Sequence, residues 1–292
     1  MSERDIPTTD GRTLRVHEAG NRDGRPVIVL YGTPSSGLIY GRHADAAKAR
    51  GARLVAYDRP GYGGSDPHPG RTVADAAADV AAIADDLGLE RFVVWGISGG
   101  GPHALACAAL LPERVAAAAC LAGPAPYGAD GLDWLVGMGQ DNIDEFGASL
   151  QGRVALAPYL RRQAADLAGA SVDDLRAVWA SLLTPLDAAV AQGPLAEYLL
   201  DSLGRALRPG VEGWLDDDLA FVAPWGFELE DIAVPVLLWQ GVEDRFVPFA
   251  HGEWLAGRIP GVEARLPADD GHLTLFEHRV PAVHDWLLEH LE

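Results

Sequence analysis

Gly96-Ile97-Ser98-Gly99-Gly100 is the stretch of this sequence whose reading decides the fold. Ahead of it runs Phe92-Val93-Val94-Trp95, β-branched and aromatic, with the character of a strand. Behind it His103–Leu111 is a run of strong helix formers stopped by Pro112. Strand, G-x-S-x-G, helix lifts a serine onto a tight turn with its hydroxyl exposed. Gly96 and Gly100 lack a Cβ where strand and helix converge. The Gly99 amide then stands at a helix N-terminus, facing an oxyanion developing at Ser98. In a chain with 34 Gly the bare motif is weak evidence, and its flanks give it weight. The competing reading is a Gly-rich turn with an incidental serine. A nucleophile also needs a base, and the base an orienting acid.

Candidates for both lie near the C-terminus. Val234–Trp239 is a continuous apolar run with the pattern of a buried strand, and Asp244 follows five residues after it. A helix is expected around Phe249–Ile259, then a short strand over Glu263–Leu266, then Asp269-Asp270-Gly271-His272. Acid and base would each sit on a loop past the C-terminal end of a strand. His272 would accept the Ser98 proton while Asp244 holds its tautomer. An aspartate past a strand end is ordinarily a solvated turn residue. Glu243 is the rival acid, but neighbours alternate sides, so only one of the two points inward. Of the nine histidines, His278, His284 and His290 read as surface positions on a terminal helix. His272 differs because Gly271 permits a sharp turn and an apolar Leu273-x-Leu275-Phe276 follows.

These segments, in the order Ser98…Asp244…His272, resemble the α/β-hydrolase superfamily, in its group of capped serine hydrolases. Two further segments carry the resemblance. Asp58-Arg59-Pro60-Gly61-Tyr62-Gly63-Gly64-Ser65 resembles the family's D-x-P-G-x-G-x-S loop after its fourth strand, and Tyr31-Gly32-Thr33-Pro34, after the strand Val27–Leu30, resembles its H-G-x-P oxyanion loop. The resemblance implies that the Thr33 and Gly99 amides form an oxyanion hole. Tyr31 replaces the usual His, a change that bears on loop geometry and leaves the triad intact. Asp58 and Arg59 read as loop-tying structural residues.

Length and composition agree with this. At 292 residues and 48% hydrophobic, the chain suits one large α/β core carrying an insertion. Alternating strands and helices, among them Val73–Leu87 and Gly101–Leu111, predict a mostly parallel sheet covered on both faces. The strand Val115–Leu121 and the strand Val234–Trp239 are separated by about a hundred residues, far beyond loop lengths. This stretch has helical character broken by Gly and Pro, and by position and size it resembles the family's helical cap. The expected division is therefore residues 1–124 and 231–292 for the core, and 125–230 for the cap. Trp134, Met138, Phe146, Trp179, Trp214, Phe221 and Trp225 are the cap's bulky residues, with Trp134 and Trp214 as candidates for the substrate pocket.

A net charge of −19 argues against nucleic acid and anionic membranes as partners. Cys107 and Cys120 read as buried free thiols. An N-terminus of mixed charge with no apolar run, and no segment of membrane-spanning length, point to a cytoplasmic protein. The sequence leaves a homo-oligomer open. No metal motif and no dinucleotide fingerprint is present, so no cofactor is expected.

Family members that open epoxides or displace halide place an aspartate at the elbow, and this chain has Ser98. A serine triad is built for acyl transfer to water, with a small-molecule ester as the leading substrate. Three alternatives stay open: a proline iminopeptidase-like aminopeptidase, a perhydrolase or C–C bond hydrolase, and a non-catalytic ligand-binding member of the fold. The aminopeptidase needs cap carboxylates to hold an ammonium. Asp141, Asp144 and Glu145, or Glu212 with Asp216-Asp217-Asp218, could serve, although such clusters in an acidic chain read first as solvated faces.

Overall fold

In the computed structural model, which describes residues 1–291, eight strands form one sheet. They are β1 (Ser2–Pro7), β2 (Thr13–Gly20), β3 (Arg25–Leu30), β4 (Ala52–Tyr57), β5 (Phe92–Ile97), β6 (Val115–Leu121), β7 (Val236–Trp239) and β8 (Glu263–Arg265). Their order is β1-β2-β4-β3-β5-β6-β7-β8. Only β2 runs against its neighbours. The rest are parallel, as crossover helices require. The antiparallel pair β1–β2 was not legible as strands, because only Ile6, Leu14 and the middle of β2 are buried and the outer residues are polar.

The central strands are apolar throughout because both faces are covered. In β5, Phe92 and Val94 point into one core, while Val93, Trp95 and Ile97 point into the other. The first core is closed by α2 (Asp75–Asp86), α3 (Gly100–Leu110) and α10 (Phe249–Ala256). The second is closed by α1 (Gly41–Ala49) and α12 (Val280–Glu289). Cys107 and Cys120 are buried free thiols in the first core. Burial raises the Cys107 thiol beyond the usual range and Cys120 to about 12, so neither is a ready nucleophile.

Between β6 and β7 the chain builds six helices: α4 (Gln140–Ser149), α5 (Arg153–Leu167), α6 (Val172–Val178), α7 (Pro185–Val190), α8 (Gly193–Ala206) and α9 (Glu212–Phe221). They have an apolar cluster of their own, with Leu156, Leu160, Ala206, Val211, Trp214 and Leu215 packed around Tyr62 of the β4–α2 loop. Among the described residues, no helix is long and apolar enough to cross a membrane.

Two readings of polar residues are corrected. His284 is fully buried on α12, its ring 6.1 Å from that of Trp95, and burial lowers it to about 4. The inward stripe of α12 (Val280, Val283, His284, Leu287) carries it to the core. His278 is exposed and precedes α12, and His290 is half-buried at its end. Asp216, Asp217 and Asp218 are not a solvated face either: all three are buried on α9. Asp217 Oδ2 accepts from Arg59 Nη2 at 2.7 Å, and its Oδ1 accepts from Arg71 Nη2 at 2.7 Å. Burial alone would raise the Asp217 carboxyl, but the two guanidinium groups outweigh it and hold it far below the usual carboxylate range.

Candidate active site

The turn after β5 is as tight as its glycines suggest. A Cβ on Gly96 would lie 2.0 Å from the Gly100 carbonyl oxygen, and one on Gly100 would lie 1.9 Å from that of Leu30. Helix α3 can therefore start directly on the sheet. Ser98 between them has φ +53°, a left-handed conformation that a serine adopts at a cost of about 1–3 kcal/mol. The neighbouring ladder holds it there, with Ser98 N–H donating to Leu121 O at 2.9 Å. The strain puts the hydroxyl on the cavity wall, and Gly99 begins the helix behind it.

Asp244 follows β7 and is buried, whereas Glu243 is exposed. Asp244 Oδ1 accepts from the Phe246 and Val247 amides at 2.8 and 2.9 Å. Its Oδ2 accepts from Gln240 Nε2 at 3.1 Å and lies 2.8 Å from His272 Nδ1. The Phe246 ring stacks on the imidazole, with centroids 4.6 Å apart and planes at 20°. Burial would lower the His272 pKa, but Asp244, aided by Asp187, outweighs it and raises it above the ordinary value. Asp187, a residue missed at the sequence level, comes from α7 and accepts from the His272, Leu273 and Thr274 amides at 3.0, 2.7 and 3.1 Å. From the inserted helices it caps the short helical turn α11 (His272–Thr274). No local signal marked it, because its partners lie some 85 residues away along the chain.

Ser98 and His272 face one chamber. Among the described residues no hydrogen bond joins their side chains, and such bonds commonly close only when substrate is bound. Thr33 abuts Gly99: a Cβ on Gly99 would stand 2.4 Å from Thr33 Oγ1. The two candidate oxyanion amides are thus on adjoining residues beside Ser98.

The candidate oxyanion loop is held by the network around Asp217. Arg59 donates to the Tyr31 carbonyl, and to Gly32 O and Thr33 Oγ1 at 2.8 Å each, while Thr33 Oγ1 donates to Asp217 Oδ2 at 2.8 Å. Tyr31 packs edge-on against Trp95 and Phe276, so its ring anchors the loop in the core. Asp58 ties His17 Nε2 and the Gly37 and Gly64 amides, at 3.0, 2.6 and 2.8 Å. Asp217→Ala would leave the buried Arg59 guanidinium without its counter-ion and Arg71 with only Asp216, 3.5 Å away. It is expected to cost about 3–5 kcal/mol in urea unfolding, and to lower kcat/KM as the oxyanion loop loosens.

The chamber has two lobes that meet at Ser98, Thr33 and Pro34. One is walled by Trp134, Met138, Phe146, Trp214 and Phe221, with Glu145 and Asp218 among them. The other is walled by Tyr31, Tyr198, Leu199, Phe276 and His272. Trp134 and Trp214 both line the first lobe, and each also has a structural bond, Trp134 Nε1 to Ala125 O at 2.7 Å and Trp214 Nε1 to Glu145 Oε1 at 2.8 Å. Tyr198 was not singled out in the sequence and Phe276 was read only as part of the apolar run after His272, because the two come together only through folding, their rings stacked 5.8 Å apart.

Residues 25–279 match the family model described as the alpha/beta hydrolase fold. A non-heme chloroperoxidase of Streptomyces lividans is 30% identical over 84% of this chain and 83% of its own length. A 2-hydroxy-6-oxononadienedioate/2-hydroxy-6-oxononatrienedioate hydrolase of Klebsiella pneumoniae is 26% identical over 92% of this chain and 88% of its own. Among solved structures, a thermophilic esterase from Thermogutta terrifontis superposes with a TM-score of 0.72 at 21% identity, covering both chains in full. With the sheet order, the strained serine turn and a match spanning most of its length, the chain belongs to the α/β-hydrolase-fold family.

Proposed function

We propose that the protein is a serine hydrolase that cleaves a carboxylic ester of a small to medium, largely apolar acyl substrate through an acyl-enzyme on Ser98. The observation that carries this reading is the left-handed Ser98 sharing a chamber with an imidazole braced by a buried carboxylate. The Ser98 hydroxyl adds to the substrate carbonyl while its proton passes to His272 Nε2. Asp244 accepts the Nδ1–H bond and stabilises the imidazolium. The Thr33 and Gly99 amides take the developing oxyanion. Collapse of the adduct breaks the ester C–O bond, and His272 returns its proton to the leaving alkoxide. Water then repeats the sequence on the acyl-enzyme, releasing the acid and freeing Ser98. The apolar walls of the two lobes support an apolar substrate, and the helices between β6 and β7 would act as the cap that selects it.

The test is a panel of nitrophenyl esters, thioesters, lactones and aminoacyl anilides, each run beside a Ser98→Ala control. Esters turned over only by the wild type support the reading, and anilides alone would replace it with an aminopeptidase. The pH profile gives a second check. His272 must be neutral to act as base, and its pKa is raised, so activity falls on the acid side. For a neutral ester, the midpoint of that limb in kcat/KM is expected above the ordinary histidine value of about 6.5. A limb well below that value would argue against His272 as the base.

A further inference from the structure

Three consecutive aspartates on α9 meet different fates. Asp216 pairs with Arg153 and lies 3.5 Å from Arg71, and Asp217 pairs with Arg59 and Arg71. Asp218, equally buried, has no donor to either carboxyl oxygen. Against it stands the Glu145 carboxyl from α4, which is itself fixed by Trp214 Nε1 at 2.8 Å. Among the described residues, no arginine or lysine pairs with Glu145 or Asp218. Both line the lobe that opens onto Ser98, among Trp134, Phe146 and Phe221.

Two carboxyl groups placed together without a cation are costly to bury. Burial pushes both upward, with the charge of Asp141 adding to it at Glu145 and that of Glu145 adding to it at Asp218, so the pair holds a shared proton where ordinary carboxylates hold none. The other groups facing the pair do not neutralise it. Asp141 is acidic and lines the same lobe, Asp217 is spoken for by its arginines, and Tyr159 of α5 is pushed up to about 12 and stays uncharged. What the arrangement lacks is one positive donor arriving from the chamber.

We propose that Glu145 and Asp218 form a subsite for a protonated amine carried by the substrate, opposite the acyl group presented to Ser98. This names a substrate class and rests on the serine-hydrolase reading above. The ammonium N–H groups would donate to the Asp218 and Glu145 oxygens, and the shared proton would leave to solvent. The aromatic walls would cover the hydrocarbon beside the amine. Binding of such a ligand is therefore coupled to proton release, and its affinity rises with pH until the amine itself deprotonates.

The probes are benzylamine and its neutral isostere benzyl alcohol, titrated calorimetrically into the wild type, Asp218→Asn and Glu145→Gln, in two buffers of different ionisation enthalpy. The wild type is expected to bind the ammonium about tenfold or more tighter than the alcohol, releasing a proton. Benzylamine should also slow fluorophosphonate labelling of Ser98. Both substitutions should bring amine and alcohol to similar affinity. Asp218→Asn is expected to melt no lower than the wild type, since it removes a buried acid that has no counter-ion. Equal affinity for the two probes in the wild type, or an amine preference that survives both substitutions, overturns the proposal. If a variant does not fold, the wild type alone decides: the amine-to-alcohol preference must weaken as pH is lowered through protonation of the pair, and a flat ratio overturns the subsite. If Ser98 never labels while the amine preference holds and is lost in the variants, the hydrolase reading fails and the subsite stands.

Discussion

Ser98→Ala is expected to lower kcat for a nitrophenyl ester by roughly 10³–10⁶-fold while leaving the protein folded. The fold should survive because Ser98 contributes backbone bonds rather than side-chain packing: its N–H donates to Leu121 O, and its carbonyl accepts from Gly101 N–H at 2.8 Å. Alanine keeps both. It also keeps the Cβ that already tolerates φ +53°, so the strain is neither added nor relieved. The residual rate measures what the Thr33 and Gly99 amides and the lobes supply without a nucleophile. A fluorophosphonate probe, read by peptide mass, should label the wild type once, at Ser98, and the variant not at all. Labelling elsewhere, or full activity in the variant, would remove Ser98 from the mechanism.

The elbow was legible because it is local. A strand, five residues and a helix fix one another through Gly96 and Gly100, where a side chain would strike backbone within about ten residues or in the adjacent strand. The strand cores were legible for a similar reason, since runs such as Val27–Leu30 and Val115–Leu121 are apolar on both faces. The boundaries differ slightly: Val234 and Pro235 lie outside β7, where proline has no N–H for the ladder.

What escaped the sequence was carried by long-range pairing. Composition makes Asp216-Asp217-Asp218 look like a wetted face, because a run of acids is usually one. Arg59 and Arg71, about 150 residues earlier, reverse that expectation for Asp217, and no feature near Asp217 announces them. The same holds for Asp187, whose three amide partners belong to the turn carrying His272. Both residues come from the inserted helices, so these helices do more than line the chamber. Through Asp217 they grip the candidate oxyanion loop, and through Asp187 they grip the loop of the candidate base. A substitution loosening either helix should therefore slow the chemistry as well as alter selection.

Asp244→Asn should cost about 10⁴-fold in kcat with the fold retained, and the hydrogen bonds around Asp244 say why. Oδ1 accepts from two backbone amides, Phe246 and Val247, at 2.8 and 2.9 Å. An asparagine must keep its carbonyl oxygen there, because its NH₂ group would otherwise face two donors. The NH₂ group is then turned toward His272 Nδ1, where Oδ2 now lies at 2.8 Å. It can only donate, so Nδ1 must be the acceptor and the proton moves to Nε2. That tautomer presents N–H to Ser98 and cannot take its proton. The same NH₂ group meets Gln240 Nε2, which now donates to Oδ2 at 3.1 Å and to Val247 O at 2.8 Å. Flipping the Gln240 amide would relieve the first conflict and forfeit the second bond, so a net loss of roughly 1 kcal/mol in stability is expected. Glu243→Gln is the control. Its side chain is exposed and its backbone N–H is held by Asp270 O at 3.1 Å, so kcat should be nearly unchanged. Steady-state kinetics on both variants, beside urea unfolding, separates lost chemistry from lost fold. A silent Asp244→Asn with a crippled Glu243→Gln would move the acid one residue back. Equal, modest losses in both would mean that the carboxylate steadies the loop rather than the imidazole.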